Sequence, residues 1–326
     1  MKKKTIIPRK PFTYSSFPTI TMHNDDVFLY YRQGRTSRSF VHGYEGSVKR
    51  WKINKNRLIE NFENDRLIVH DRGYETTTFE NRNENELDAI VSKLDDNLYS
   101  LVTRCYLPRK LNQPYVSIST TPEFDKRTPV KVPEVQWCVL YGKAFSSEHG
   151  YVFPAYGSLR NEPGERAFLL VTEDGKHWSV LSALPLNPKE YILNESSVTC
   201  DGEQYTIYMR SNKFPFAIWK SHSDDLIEWT LPERAIEKAQ APMAITYQHN
   251  TYVTYRDFSI SHRWATSLKV NDNSPIRLEE YVGNPYDGGY SDLIMLNDKQ
   301  LFVTYYNGNQ AAEPFIRGAL LHIDER

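Results

Sequence analysis

Apolar and polar residues alternate along this chain in short runs, and the runs recur. Segments such as YTIYMR, TYVTYR and LFVTYY follow period two and are rich in β-branched and aromatic residues, the pattern of strands with one buried face. The longer units can be laid over one another: FPTITMHNDDVFLYYR (Phe17 to Arg32), DAIVSKLDDNLYSLVTR (Asp88 to Arg104), ESSVTCDGEQYTIYMR (Glu195 to Arg210), APMAITYQHNTYVTYR (Ala241 to Arg256) and YSDLIMLNDKQLFVTYY (Tyr290 to Tyr306). A looser sixth copy, WCVLYGKAFSSEHGYVFPAYGSLR, runs from Trp137 to Arg160. Strand, tight turn and second strand, returning at a period of roughly 40 to 50 residues, predict an all-β fold: a six-bladed β-propeller of four-stranded antiparallel blades. One such ring absorbs the whole chain, residues 1–326, as a single domain. FIRGALLHI near the end and KKTIIP near the start are expected to complete one shared blade.

This organisation predicts a site. In a blade the two inner strands form a hairpin, so the start of the first and the end of the second lie on one rim. Asp88, Glu195, Tyr290, Arg32, Arg104, Arg210 and Arg256 then converge on the channel mouth as a ring of carboxylates, a phenol and guanidinium groups. Helical signals are weak, the best running from Pro232 to Ala241. The polar stretches Gln33 to Gly46 and Asp71 to Leu87 read as loops over one face.

Composition narrows the choice of partner. A formal net charge of −1 without basic runs gives no footprint for nucleic acid. The three cysteines, Cys105, Cys138 and Cys200, form no CxxC pair and are expected as buried small hydrophobes, not as a disulfide frame or zinc site. No apolar run follows the charged start MKKKTIIPRK and none approaches about 18 residues, so neither a secretory signal nor a membrane span is expected. That leaves a cytoplasmic protein, or one exported by a route the sequence does not display. The histidines lack ligand spacing such as HExxH, and no metal or other cofactor is expected.

Two segments share a stricter pattern, [Ser/Thr]-x-Asp-x-x-x-Trp: Thr172 to Trp178 and Ser223 to Trp229. Hydroxyl and carboxylate can accept backbone N–H groups in a tight turn while the indole packs between blades. The pattern resembles the Asp-box (BNR repeat) of sialidase-type propellers, a folding element remote from the active site, with degraded copies around Trp51 and around Ser119 to Phe124. The resemblance extends to NESSVTCDGEQYTIYMR, similar to the sialidase-superfamily segment in which a glutamate opens a blade and an arginine closes its second strand. DGGYSDLIMLNDKQLFVTYY is likewise similar to the segment carrying that family's active-site tyrosine. It implies Tyr290 as nucleophile, Glu195 as its general base and Arg210 as an anion-binding arginine, with Arg256 or Arg263 supplying another. Asp88, Asp71, Glu45 and His42 are candidates for the acid, Asp88 foremost. Arg32, Arg104, His42 and Asp287 complete the expected substrate-binding set.

The chain also departs from the family. Where sialidases place their first carboxylate-binding arginine, just before the proline opening blade one, it has Phe17-Pro18. A closer pattern occurs in uncharacterised sialidase-like proteins, and here corresponds to Arg32, His42, Asp88, Glu195, Arg210, Arg256 and Tyr290. SDDLIEW is similar as well to a stretch of five-bladed arabinanase and invertase-type glycosidases, against which six copies of the repeat weigh.

The chemistry suits these residue types. A phenol is a poor nucleophile near its usual pKa of about 10, and a neighbouring glutamate can take its proton. Arginine forks match carboxylates. The expectation is a glycoside hydrolase acting on a glycan with an acidic or otherwise polar terminal sugar. Two alternatives need the same residues: a glycan-binding propeller without catalysis, and a polysaccharide lyase using tyrosine as base.

Overall fold

The structure, a computed structural model, describes all residues except 38–41, 65–73, 80–84, 107–112, 187–191, 261–262, 282–287, 309–312 and 324–326. Six antiparallel sheets form the blades of a propeller. Blade one comprises Thr13–His23, Asp26–Arg35, Tyr44–Asn54 and Tyr74–Phe79. Blade two holds Asn85–Asp95, Leu98–Tyr106, Gln113–Ser119 and Thr128–Pro129. Blade three holds Val135–Leu140, Gly150–Leu159, Arg166–Thr172 and Ser179–Ala183, with Phe145–Ser147 pairing beside the second strand. Blade four comprises Leu193–Cys200, Tyr205–Ser211, Ala217–Ser223 and Glu233–Glu237, and blade five Ala239–Tyr247, Asn250–Asp257, Trp264–Val270 and Ile276–Tyr281. In blade six, Ser291–Asn297, Gln300–Asn307 and Phe315–His322 are joined by Lys2–Ile7 as outermost strand, so the two ends of the chain close the ring together.

Every blade packs one face against each neighbour, so inner strands whose alternation predicted one buried face are buried on both, and the core is a succession of interblade layers. The two [Ser/Thr]-x-Asp-x-x-x-Trp segments are tight turns between the third and fourth strands of blades three and four. Asp174 accepts the N–H groups of Lys176 and His177 at 2.8 and 2.9 Å, and Asp225 those of Ile227 and Glu228 at 2.8 and 2.9 Å. Trp178 and Trp229 are buried beneath, each giving its indole N–H to a carbonyl of its own turn. Both turns lie on the rim opposite the ends of the second strands. Ser119 to Phe124 keeps the hydroxyl of this turn, through Ser119 accepting Thr121 N–H, and buries Phe124. Trp51 instead sits inside a strand, and the turn after it is replaced by a helix.

That helix, Lys55–Glu63, corrects the sequence expectation, since Pro232 to Ala241 is extended and contributes to strands of blades four and five. Asn54 caps it by accepting from the N–H groups of Asn56 and Arg57, and Leu58 and Phe62, four apart, are buried on one face. The stretch from Asp71 to Leu87, expected as a loop, includes the outer strand Tyr74–Phe79 and the start of blade two, and Gln33 to Gly46 likewise includes strand at both ends. Cys105 and Cys138 are buried, whereas Cys200 is exposed, at the end of its strand beside a turn.

Candidate active site

Two local devices aim side chains at the channel mouth. The first is a bulge near the start of the innermost strand. The register slips between Ser16 and Thr19, Glu86 and Asp88, Asn194 and Ser196, and Gln240 and Met243 in blades one, two, four and five. Phe17, Glu195 and Ala241 take positive φ there, +50°, +34° and +54°, and the extra residue swings its side chain off the ladder. The second device is register in the second strand. The sixth residue past its first member is Arg32, Arg104, Tyr156, Arg256 or Tyr306 in blades one, two, three, five and six. In blade four Arg210 stands one step earlier, five past Tyr205.

The result is a cleft of about 300 Å³ to which every blade contributes, lined among others by Phe17, His42, Asp88, Arg104, Tyr141, Tyr156, Glu195, Arg210, Met243, Arg256 and Tyr290. Its size lies at the lower end of small-molecule sites. At one wall the Tyr290 hydroxyl donates to Glu195 Oε1 at 2.7 Å, while Arg210 Nη1 reaches the same carboxylate oxygen at 2.5 Å and the phenol oxygen at 3.2 Å. In the same cleft Arg104 grips Asp88 with Nε at 3.2 Å and Nη2 at 2.5 Å.

Burial pushes Tyr290 up to about 12, helped by the charge of Glu195 and opposed by Arg210 and Arg256. Burial would also raise Glu195, but the charge and hydrogen bond of Arg210, then Tyr290 and Arg256, outweigh it and hold the carboxyl below its ordinary value. For Arg104, burial favours the neutral form and Asp88 more than reverses it. Burial raises Tyr141 and Tyr156 too. After burial, Tyr156 feels the charge of Arg104, which lowers it, and those of Glu195, Tyr290 and Asp88, which raise it.

Tyr290 is positioned from behind. Gly288 and Gly289, at φ +108° and +75°, carry the chain across the face of Trp264, where a Cβ would come within 2.4 and 2.6 Å of the indole. Arg256 Nε holds Gly288 O at 2.6 Å and its guanidinium lies 4.9 Å from the Tyr290 ring centre. Phe17 meets the same ring edge-on at 5.1 Å, and Tyr306 stacks parallel to it at 6.4 Å.

Of the residues expected at the mouth, the structure brings together Asp88, Arg104, Glu195, Arg210, Arg256, Tyr290 and His42, whose ring touches Phe17 at 5.2 Å. Arg32 is wholly buried behind the wall, where it binds Glu86 O and the Asn85 side chain and ties blade one to blade two. Arg263 is exposed and faces Glu280, away from the cleft, which leaves Arg256 as the arginine of blade five. Glu45 is exposed and paired with Arg35. Asp71 and Asp287 lie outside the described residues. Sequence reasoning missed Tyr141 and Tyr156 because it matched Arg160 to the arginines of the other blades. Arg160 is an exposed residue bonded to Pro133 O. Counting forward from the EHG turn, as in the other hairpins, finds Tyr156.

No family model matches the chain, and no curated protein sequence matches it either. Its fold has solved counterparts. A protein of unknown function from Dyadobacter fermentans superposes with a TM-score of 0.80 at 15% identity, covering 99% of this chain and 98% of that one. Trypanosoma rangeli sialidase in complex with sialic acid superposes with a TM-score of 0.69 at 13% identity, covering 98% of this chain. This chain spans 58% of that sialidase's length. An α-L-arabinanase from Penicillium chrysogenum, complexed with arabinobiose, gives a TM-score of 0.66 at 11% identity over 100% of this chain and 99% of its own. The fold is a sialidase-like β-propeller, shared with glycoside hydrolases.

Proposed function

We propose that this protein is a glycoside hydrolase that removes a terminal acidic or otherwise polar sugar from a glycan, with Tyr290 as nucleophile, Glu195 as its base and Asp88 as the acid. The observation that carries the reading is the 2.7 Å hydrogen bond from the Tyr290 hydroxyl to Glu195 in a cleft at the channel mouth. A phenol raised to about 12 donates to a carboxylate held low, so proton transfer in the resting site is strongly uphill. The proton therefore moves as the bond from the Tyr290 oxygen to the anomeric carbon forms, when positive charge on the sugar makes the phenol acidic. Arg210, bonded to both atoms of the pair, stabilises the negative charge wherever it sits during that transfer.

In this reading Asp88, which lines the same cleft, gives its proton to the departing oxygen. To act as an acid it must bind a proton, so one of its two bonds to Arg104 opens in the substrate complex. Tyr156, which also lines the cleft, supplies a phenol to bond sugar hydroxyls.

The test is release of fluorophore from a panel of sialic, ulosonic, uronic and neutral glycosides by wild type and Glu195→Gln. Turnover by wild type that falls about 10²- to 10⁴-fold in the variant supports the assignment. An unsaturated product from uronic polymers would make the protein a lyase. Glycan binding by both proteins without turnover by either would leave a recognition module.

A further inference from the structure

In the proposed reaction the oxygen that takes the proton of Asp88 carries the rest of the glycan, so the chain beyond the terminal unit leaves the cleft on the side of blade two. Strand register traces the way outward along that blade. Asp88 on its first strand pairs with Arg104 on the second, and Arg104 pairs with Pro114 on the third. Two strand spacings place the backbone of Pro114 about 10 Å from that of Asp88. A second cavity of about 400 Å³ opens there, where blade two passes into blade three, lined among others by Gln113, Pro114, Lys131, Gln136, Trp137 and Arg160.

An aromatic pair joins the two cavities. Trp137, half-buried on the wall of the outer one, meets the ring of Tyr156 edge-on at 6.3 Å, and Tyr156 lines the cleft. The outer cavity is braced by its own hydrogen bonds. Gln113 Nε2 donates to Pro114 O at 2.8 Å and to Val130 O at 3.1 Å, Val130 N–H donates to Pro114 O at 2.9 Å, and Arg160 Nε holds Pro133 O at 2.7 Å. Its volume falls within the range of small-molecule sites. The described residues that line it offer an indole, two side-chain amides and two cations, with no carboxylate among them.

We propose that this cavity is the subsite for the sugar on the leaving side of the scissile bond, with Trp137 as the ring on which that sugar stacks. It rests on the reading of the cleft as a hydrolase site with Asp88 as its acid. The negative face of the indole complements the weakly positive C–H face of a sugar ring, while amides and cations suit its hydroxyls and repel no acidic substituent. The departing oxygen fixes the direction, and the register from Asp88 through Arg104 to Pro114 leads to this cavity. The subsite adds affinity for the second sugar and leaves recognition of the terminal unit to the cleft.

The experiment compares full-length Glu195→Gln with Glu195→Gln/Trp137→Ala, Glu195→Gln/Trp137→Phe and Glu195→Gln/Arg160→Ala for binding to printed oligosaccharides graded from one to four sugars. The first protein is expected to bind members of two or more sugars roughly tenfold more tightly than the single sugar, the order one aromatic contact supplies. Trp137→Ala removes that gain and leaves affinity for the single sugar as it was, Trp137→Phe keeps most of it, and Arg160→Ala, a change at an exposed residue, lowers it. An undiminished gain in both alanine variants overturns the proposal. So does a loss that falls equally on the single sugar, which would make Trp137 a brace for Tyr156 only, and so does failure of the first protein to bind any glycan. Release of fluorophore from small glycosides by wild type, without a length gain in Glu195→Gln, overturns the subsite alone. A length gain that depends on Trp137, without turnover by wild type, overturns the hydrolase reading alone.

Discussion

Two buried carboxylates on innermost strands are treated in opposite ways. Asp292 at the floor is wholly buried and fully engaged: it accepts from Thr19 Oγ1 and Ile20 N–H of blade one at 2.8 Å each, from Leu293 N–H at 2.7 Å, and pairs with Lys143 Nζ at 2.9 Å. Lys143 in turn reaches the carbonyls of Ile20 and Val91, so one ion pair joins blades one, two, three and six. Glu195 at the mouth directs a single oxygen to Arg210 and Tyr290, and its other oxygen, Oε2, is buried without a hydrogen-bond partner among the described residues. A carboxylate whose lone pairs are all taken is a rivet. One left half-satisfied in a low-dielectric cleft keeps the capacity to take a proton or a substrate hydroxyl.

The comparison is most directly broken by removing each carboxylate in turn. Asp292→Ala leaves Lys143 charged and the Thr19 and Ile20 donors without their acceptor, and is expected to cost about 3–5 kcal/mol of folding stability. Glu195→Gln keeps the shape and one acceptor, so its cost is expected at only about 1–3 kcal/mol. Urea unfolding of both variants beside wild type measures the difference. Equal losses would show that the mouth is as structural as the floor and would remove the basis for singling it out.

A smaller effect sharpens the electrostatic half of the contrast. Glu195 is held low mainly because Arg210 outweighs its burial. Arg210→Met removes that counterweight and leaves the burial, so the carboxyl moves upward and is protonated at a pH where the wild type is ionised. The acid limb of the pH profile of kcat/KM is therefore expected to move to higher pH, with reduced turnover on the plateau as well. A limb that stays in place while the plateau falls would assign it to a group other than Glu195.

How far the site was legible beforehand depended on which physical rule repeated. Asp88, Arg104, Glu195, Arg210, Arg256 and Tyr290 could be grouped because hairpin register places one strand position per blade at the mouth, and most copies put an arginine or an acid there. Arg32 obeyed the register yet ended behind the wall, because Asn85 and the Glu86 carbonyl capture its guanidinium, partners that no pattern within blade one announces. Tyr156 escaped because blade three carries its extra segment Phe145–Ser147, which shifted the apparent alignment to Arg160. The Lys143–Asp292 rivet was invisible for the same kind of reason: its members are 149 positions apart and only ring closure makes them neighbours. Folding rules that act within a blade can be read from the sequence, and contacts between blades appear only with the closed ring.

The smallest expected effect concerns the stability of the mouth as pH falls. Because the Glu195 carboxyl is lower in the folded protein than its ordinary value of about 4.3 in an unfolded chain, the folded state binds its proton less readily. Its ionisation thus stabilises the fold at pH above the unfolded value, and the contribution is lost as pH drops through the lowered folded value. Glu195→Gln has no such proton to bind. Its stability deficit relative to wild type, followed by urea midpoints from neutral to acidic pH, is expected to shrink across that window and to be constant above it. A deficit that stays constant into acid would mean that Glu195 is not preferentially ionised in the fold, and with it the base assigned to Tyr290 would be lost.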